Sequence, residues 1–522
     1  MRRWMVIVVG AVCLGLLGPA PASAGRIADA FCGLPKAQRT RVFHGSHRTR
    51  SGQVLIVPTS NSFVGPGLSH DGPWSYLQRV PLFAYGPGFV EARGKVGRRV
   101  TLASIAPTQA ELLGVDFEGD EGLLHEALLP EAERPEPPRL IVTLVWDAGG
   151  KNVLDRWRAR WPRLRKLIPR GTYYRNAEVG SSPSVTPPAH ATMGTGVFAR
   201  THGLTDLEVR EGGKVRGGWS KGPKLLLSDT LADVYDVDMG NEAKVGAVVG
   251  VPGHLGMIGH GSYHDGGDKD VAIVAKASGS LWGIRGQSKP FYRFPKWVNA
   301  LPGLARQVRL LDQRDGRRDG RWRGNRLAAL RNGFDSPARI PYQTKIVKTL
   351  IKREGFGKDD VPDLLAINHK IIDHVGHEWH MHAPEMGDAV RYQDRDLSQL
   401  IGILNRLVGK GRWAMIMTAD HGHTPLPSIS RKVPLDVSKI RAALTARFDD
   451  GDAIPVVKQV RPTEVFLNEA ELKRNGYGLK AVARYLLGLP KARVSVGGRG
   501  SGKAFAAAIP TRMLPRLPCA VS

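Results

Sequence analysis

Short apolar runs alternate with longer amphipathic stretches along most of this chain. Arg139 to Trp146, Val245 to Gly250, Val271 to Ala275, Leu364 to Asn368 and Trp413 to Met417 are brief and almost wholly apolar, the profile of strands buried on both faces. Between them, Val153 to Ile168, Lys224 to Tyr235, Thr344 to Arg353 and Pro384 to Val408 carry helical spacing. The alternation predicts an α/β fold with a mostly parallel central sheet and helices on both faces. Further forward, Gln53 to Pro58 and Val80 to Tyr85 are strand candidates, the second stopped by Gly86-Pro87-Gly88. Val100 to Leu113 has helical spacing interrupted by Pro107. Residues 276–335 break the rhythm with Gly, Arg and the aromatics Trp282, Phe291, Tyr292, Phe294 and Trp297, and are expected to form an inserted cap over the sheet edge. Residues 129–138, rich in Pro and Glu, are the best linker in the chain.

Composition adds an address. Met1-Arg2-Arg3, an apolar run from Met5 to Leu17 and the small residues Ala22-Ser23-Ala24 predict a cleaved secretory signal over 1–24. No later stretch reaches eighteen apolar residues, so no transmembrane anchor is expected. The net charge of +27 favours anionic partners, either small phosphate esters or acidic envelope material. No basic motif interleaved with aromatics points to sequence-specific nucleic-acid binding. Beyond the signal only Cys32 and Cys519 remain, a candidate disulfide in an oxidising compartment.

The candidate chemistry sits at strand ends, where open α/β sheets gather their sites. Asp147 closes the run Leu140–Trp146, Asp420-His421 follows Trp413–Met417, and Asp373-His374-Val375-Gly376-His377 follows the strand ending at Asn368. Carboxylate and imidazole at three strand ends suit a divalent metal such as zinc. Between them lies Ser184-Val185-Thr186-Pro187-Pro188-Ala189-His190, small hydroxyls leading into a helix-compatible run. A hydroxyl there either caps the helix or, beside a cation, acts as a nucleophile. His254, His260 and His264, in a Gly-rich loop, read as core or surface residues.

In this order, Asp147, Thr186 four residues before His190, His202-Gly203, Asp373-x-x-Gly-His377 and Asp420-His421-Gly422 resemble the alkaline phosphatase superfamily, nearest its type I phosphodiesterase/nucleotide pyrophosphatase branch. The resemblance covers about 140–425. It implies Thr186 as nucleophile, one metal held by Asp147, Thr186, Asp420 and His421, and a second held by Asp373, His377 and a further downstream His. No His follows His423. The family's usual downstream motifs instead have counterparts at the front: Gly67-Leu68-Ser69-His70-Asp71-Gly72-Pro73, Val80 to Gly88, Ser104 to Thr108 and Leu112-Leu113-Gly114. The chain therefore resembles a circular permutant in which His70 supplies the missing ligand. A single catalytic domain over 25–522 is expected, with 25–128 equivalent to the usual rear part, the linker, a core over 139–489 and a tail over 490–522. A Cys32–Cys519 bond would fasten the seam.

The implied activity is that of an exported, zinc-dependent hydrolase of phosphoric esters using two divalent ions and a phospho-threonine intermediate, phosphodiesterase in preference to phosphomonoesterase. A non-catalytic basic surface-binding protein is the alternative from another class. Relatives place an Asn just after the His-Gly to contact phosphate, where this chain has Leu207. Of the Lys-x-Arg found in some monoesterase relatives, Lys269 alone has a counterpart, and it is the candidate substrate-binding residue.

Overall fold

A computed structural model describes residues 22–65, 69–134 and 136–519. Most of the expected signal, residues 1–21, and Gly67-Leu68 of the His70 motif lie outside the described residues. The strands used below are β1 (Val54–Pro58), β2 (Leu82–Tyr85), β3 (Gly94–Thr101), β4 (Leu140–Trp146), β5 (Thr172–Glu178), β6 (Val245–Val249), β7 (Asp270–Ala275), β8 (Asp363–His369), β9 (Trp413–Thr418), β10 (Val457–Val460), β11 (Glu464–Leu467) and β12 (Phe505–Pro510). The helices named by label are α1 (Thr186–Thr195), α2 (Arg339–Glu354), α3 (Ile371–Trp379) and α4 (Pro384–Leu404).

The central sheet runs β7-β6-β8-β4-β9-β2-β5-β3, extended at the β7 edge by two-residue pairings from Trp282–Gly283 and Tyr292–Arg293. From β7 to β9 every pairing is parallel, with β4 in register between β8 and β9. β2 is antiparallel to both its neighbours, and β3 pairs parallel with β5. The fold is α/β, with helices on both faces of the sheet.

Strand periodicity explains the two faces. In β4, Leu140, Val142, Leu144 and Trp146 join Ile346, Val347 and Leu350 of α2 and Leu397 and Leu400 of α4 on one side. Ile141 and Val145 point the other way, to Ala189 and Met193 of α1 and to Leu112 and Tyr235. A strand buried on both faces has no alternating polar positions, hence its nearly unbroken apolar run; the one polar residue, Thr143, is buried and accepts from Gln109 Nε2 at 2.7 Å.

A second, antiparallel sheet of order β10-β11-β1-β12 has its own core, joining β1 to Ile27 and Phe31 of the helix Ala22–Cys32 and to Val482 and Leu486. Cys32 and Cys519 are bonded here, with Cα atoms 5.6 Å apart. Arg39 donates to both their carbonyls, at 3.0 and 3.2 Å. No described helix is long and apolar enough to cross a membrane.

Several expected elements differ. The helix expected over Val153 to Ile168 is broken into Lys151–Arg156, a 3-10 turn and Pro162–Leu167, because Pro162 can start a helix but not continue one. Lys224 to Tyr235 is helical only from Leu231, where Thr230 and Asp233 form a reciprocal capping box. Val100 lies in β3, which Thr101 closes, and the helix over Ile105–Leu113 accommodates Pro107 in its first turn. β3, β5, β10, β11 and β12 have no counterpart among the elements the sequence predicts. In the inserted segment Trp282 and Tyr292 are buried and Phe291, Phe294 and Trp297 pack against the two cores, so the aromatics are cap packing.

Candidate active site

Adjacent strands β8, β4 and β9 end side by side, and each hands its next residues to the same cavity. Asp147 follows β4, Asp420 and His421 follow β9, and the turn after β8 leads into α3 with Asp373 and His377 one helical turn apart. Asp147, Asp420 and His421 are fully buried, Asp373 nearly so. His70, from the front of the chain, arrives beside them: its Nε2 lies 3.6 Å from Asp373 Oδ1, and its ring stacks on His421 with centroids 3.6 Å apart. His377 Nε2 stands 3.3 Å from the same Asp373 oxygen. His421 Nε2 is 3.3 Å from Asp420 Oδ2 and 3.9 Å from Asp147 Oδ1 and Asp373 Oδ1. Six of the residues expected to hold metal, Asp147, Asp373, His377, Asp420, His421 and His70, are thus brought together.

The donor set fits divalent cations. Asp373 Oδ1, Asp420 Oδ2 and His421 Nε2 are buried without a hydrogen-bond partner, a costly state for polar atoms unless something else satisfies them. Two groups, His70-Asp373-His377 and Asp147-Asp373-His421, each offer ligand atoms within 4.8 Å of one another. The ring nitrogens face the right way. His70 Nδ1 is 3.0 Å from the Ser184 carbonyl, and His421 Nδ1 is 3.0 Å from the Gly422 carbonyl. A carbonyl only accepts, so in both rings Nδ1 carries the proton and Nε2 presents its lone pair. Burial and the neighbouring His421 push His70 down to about 3, keeping it neutral. Burial and Asp147 push Asp420 up to about 7, the signature of negative charge awaiting a counter-charge.

Thr186 opens α1, and Val185, which has no side-chain hydrogen bond, is the N-cap. The Thr186 hydroxyl is therefore not spent on capping. Its partner is Lys370 Nζ at 3.3 Å. Ser184, the rival hydroxyl, is buried and donates to the His70 carbonyl at 2.8 Å. His190 Nδ1 lies 2.9 Å from the Thr186 carbonyl and its Nε2 3.0 Å from Asn368 Nδ2, which ties the start of α1 to the end of β8.

Lys370, His254, Asn368 and His423 also belong to the site, and the sequence assigns none of them a role there. Lys370, in the turn after β8, donates to Asp147 Oδ1 at 2.8 Å and forms an ion pair with Asp373 Oδ2, also at 2.8 Å. Burial opposes its charge, but Asp147 and Asp373 more than compensate and hold the ammonium well above the usual lysine range. His254 was read as core or surface. Instead, its Nδ1 accepts the amides of Gly250 and Val251 at 3.1 Å, leaving the Nε2 proton facing Asp147 Oδ2 at 2.9 Å. The same oxygen accepts from Asn368 Nδ2 at 2.9 Å. His423 is buried against Gly376 of α3, where any side chain would collide with its ring. His260 pairs with Asp233 at 2.9 Å, away from the site.

Other expected residues stay outside. Lys269 immediately precedes β7, at the amino end of the parallel strands and so at the opposite edge of the sheet from Asp147 and Asp420; the substrate-binding role expected for it is not what this placement suggests. His202 is buried, with Nδ1 accepting the Leu204 amide at 3.2 Å, and holds its own loop. Leu207 is 43% exposed on the rim of a cavity of about 480 Å³, which reaches down to Thr186.

Comparison with known proteins follows the same geography. The sequence profile of the family described as type I phosphodiesterase / nucleotide pyrophosphatase matches residues 141–496, starting in β4 and leaving out the segment that carries His70. A Myroides odoratus protein named calcium-transporting ATPase is 23% identical over 408 residues, 66% of this chain and 72% of its own. Alkaline phosphatase PhoV of Synechococcus elongatus is 22% identical over 351 residues, 57% of this chain and 61% of its own. The crystal structure of wild-type alkaline phosphatase PafA superposes with a TM-score of 0.54 at 20% identity, covering 68% of this chain and 76% of that one.

Proposed function

The chain belongs to the type I phosphodiesterase / nucleotide pyrophosphatase family of the alkaline phosphatase superfamily, a phosphoric ester hydrolase by that membership, and we propose that it works as a two-metal enzyme with Thr186 as its nucleophile. The observation that carries the reading is the trio of buried, unpartnered ligand atoms on Asp373, Asp420 and His421 around a hydroxyl that does not cap its helix. Asp373, His377 and His70 would hold one ion, and Asp147, Thr186, Asp420 and His421 the other. Zinc suits this mixture of imidazole and carboxylate. When bound, the ions supply Lewis acidity at the phosphoryl oxygens and at the two oxygens exchanged on phosphorus.

The chain's own residues do the rest. Asn368 donates to Asp147 Oδ2 and His254 Nε2 stands 2.9 Å from the same oxygen, so an ion would share Oδ1 with Lys370. The Ala148 amide holds Asp420 Oδ1 at 2.8 Å and leaves Oδ2 open. Thr186 Oγ1 gives up its proton to cavity water and bonds to phosphorus, while the bond from phosphorus to the leaving oxygen breaks. Water then displaces Thr186 from the phospho-threonine, releasing the phosphate product and restoring the hydroxyl.

Small phosphodiesters are the favoured substrates, on the family's description. Monoester hydrolysis is the second reading, favoured by the names of PhoV and PafA. Export is supported by the apolar run near the start of the chain and by the Cys32–Cys519 bond. Reading 25–128 as a permuted segment is supported by His70, outside the family match, reaching Asp373 and His377.

The test is turnover of bis-nitrophenyl phosphate and nitrophenyl phosphate by zinc-loaded protein, with metal counted per chain. The diesterase reading expects two ions and the higher kcat/KM on the diester. A protein that retains no metal, or a Thr186→Ala variant with wild-type turnover, would sink the enzyme reading.

A further inference from the structure

We propose that Lys370 is a catalytic residue of this site, its ammonium binding a non-bridging oxygen of the phosphoryl group as that group passes onto and off Thr186. The inference rests on the reading of Thr186 as nucleophile.

An ammonium carries three N–H donors and no acceptor. Asp147 Oδ1 accepts one of Lys370's at 2.8 Å, and Thr186 Oγ1 accepts another at 3.3 Å. Asp373 Oδ2 pairs with the ammonium at 2.8 Å. A donor that close to the attacking oxygen is also within reach of an oxygen on the phosphorus that becomes bonded to it. The two carboxylates come from different strand ends, so the nitrogen cannot drift along either one. It is held before substrate arrives, which is what makes a donor useful to a transition state.

Among the described residues, no other cation on the cavity's lining is hydrogen-bonded to Thr186. Arg461, the other cation on its lining, lies 3.7 Å from Asp206 and 3.6 Å from Glu208. Val185, Leu207 and Val460 are apolar walls. Asp373 serves both sides at once, since Oδ2 meets Lys370 while Oδ1 faces His70 and His377. Lys370 need not leave for the imidazole side to be filled. No proton is transferred: the ammonium donates a hydrogen bond, stronger as charge gathers on the phosphoryl oxygens.

The full-length, zinc-loaded chain and its Lys370→Met variant supply the test. Zinc per chain and binding of inorganic phosphate by calorimetry are read alongside turnover. The variant is expected to keep the wild-type zinc content, to bind phosphate about 10- to 100-fold more weakly, and to lose roughly 10²- to 10³-fold in kcat. Lys370→Arg should recover part of the phosphate affinity. Should Lys370→Met fail to fold, Lys370→Gln carries the same measurements. The proposal is overturned if phosphate binds the variant as tightly as the wild type at equal zinc. It is also overturned if weaker phosphate binding tracks lost zinc and excess zinc restores it, because Lys370 would then be a spacer between carboxylates. A wild-type protein that holds zinc yet binds no phosphate would instead overturn the phosphoester reading beneath it.

Discussion

Asp363 at one end of the central sheet and Asp373 and Asp420 at the other are all buried, and the fold treats them differently. At the amino end of β8, Asp363 is fully buried, yet its Oδ1 accepts the Lys244 amide at 2.7 Å and its Oδ2 the Gly357 amide at 2.6 Å. It closes two turns and has no further business. At the carboxyl end, Asp373 and Asp420 are as deeply buried, but each keeps one oxygen without a hydrogen-bond partner. Burial is therefore not what marks a functional carboxylate here. What marks it is a lone pair the fold has declined to satisfy, in a place where imidazole nitrogens are left equally bare.

Substitutions at the two ends should separate chemistry from stability. Thr186→Ala is expected to lower kcat by on the order of 10⁴-fold with an unchanged melting curve, since the hydroxyl makes no structural bond beyond Lys370. His70→Ala should cost roughly 10²- to 10³-fold in turnover and about one zinc per chain. If metal content and rate both survive, the permuted segment does not complete the site. Asp363→Ala reverses the pattern. It leaves two amides unpaired and should cost about 2 to 3 kcal/mol in urea unfolding, with kcat unaffected.

A comparable effect is a pH dependence at the amino end. Burial, opposed by the Gly357 and Lys244 amides, raises the Asp363 carboxyl to about 6. The native state then binds more protons than the unfolded chain between pH about 4 and 6. Asp363's contribution is full below that window and is lost as pH rises through it, at up to about 1.4 kcal/mol per pH unit. The stability difference between wild type and Asp363→Asn should drift accordingly between pH 4 and 6 and flatten above. A flat difference throughout would mean that Asp363 titrates as an ordinary carboxylate.

Sequence made one end far more legible than the other. Asp147, Asp373, His377, Asp420 and His421 could be found because each follows an apolar run whose strand character is written in its composition. Thr186 was found by its distance from His190, and His70 by an unexpected order of motifs. Lys370 had no such signal. It is one lysine among many in a basic chain, and its meeting with Asp147 and Asp373 depends on how sharply the chain turns from β8 into α3. His254 was hidden likewise, since a short 3-10 turn has no periodicity to read. β5, Thr-Tyr-Tyr-Arg-Asn-Ala-Glu, mixes buried and exposed positions irregularly and was passed over. Lys269 shows the converse error: likeness of local sequence put it near phosphate, and the direction of β7 puts it at the far edge.

β1 lies between β11 and β12 in the small sheet. Its two partners are made some four hundred residues after it, so during synthesis Val-Leu-Ile-Val waits with both edges open. A nascent chain of this protein carries a sticky segment through nearly its whole production, and any host that makes it well must either shield that segment or delay folding until the last strand has emerged.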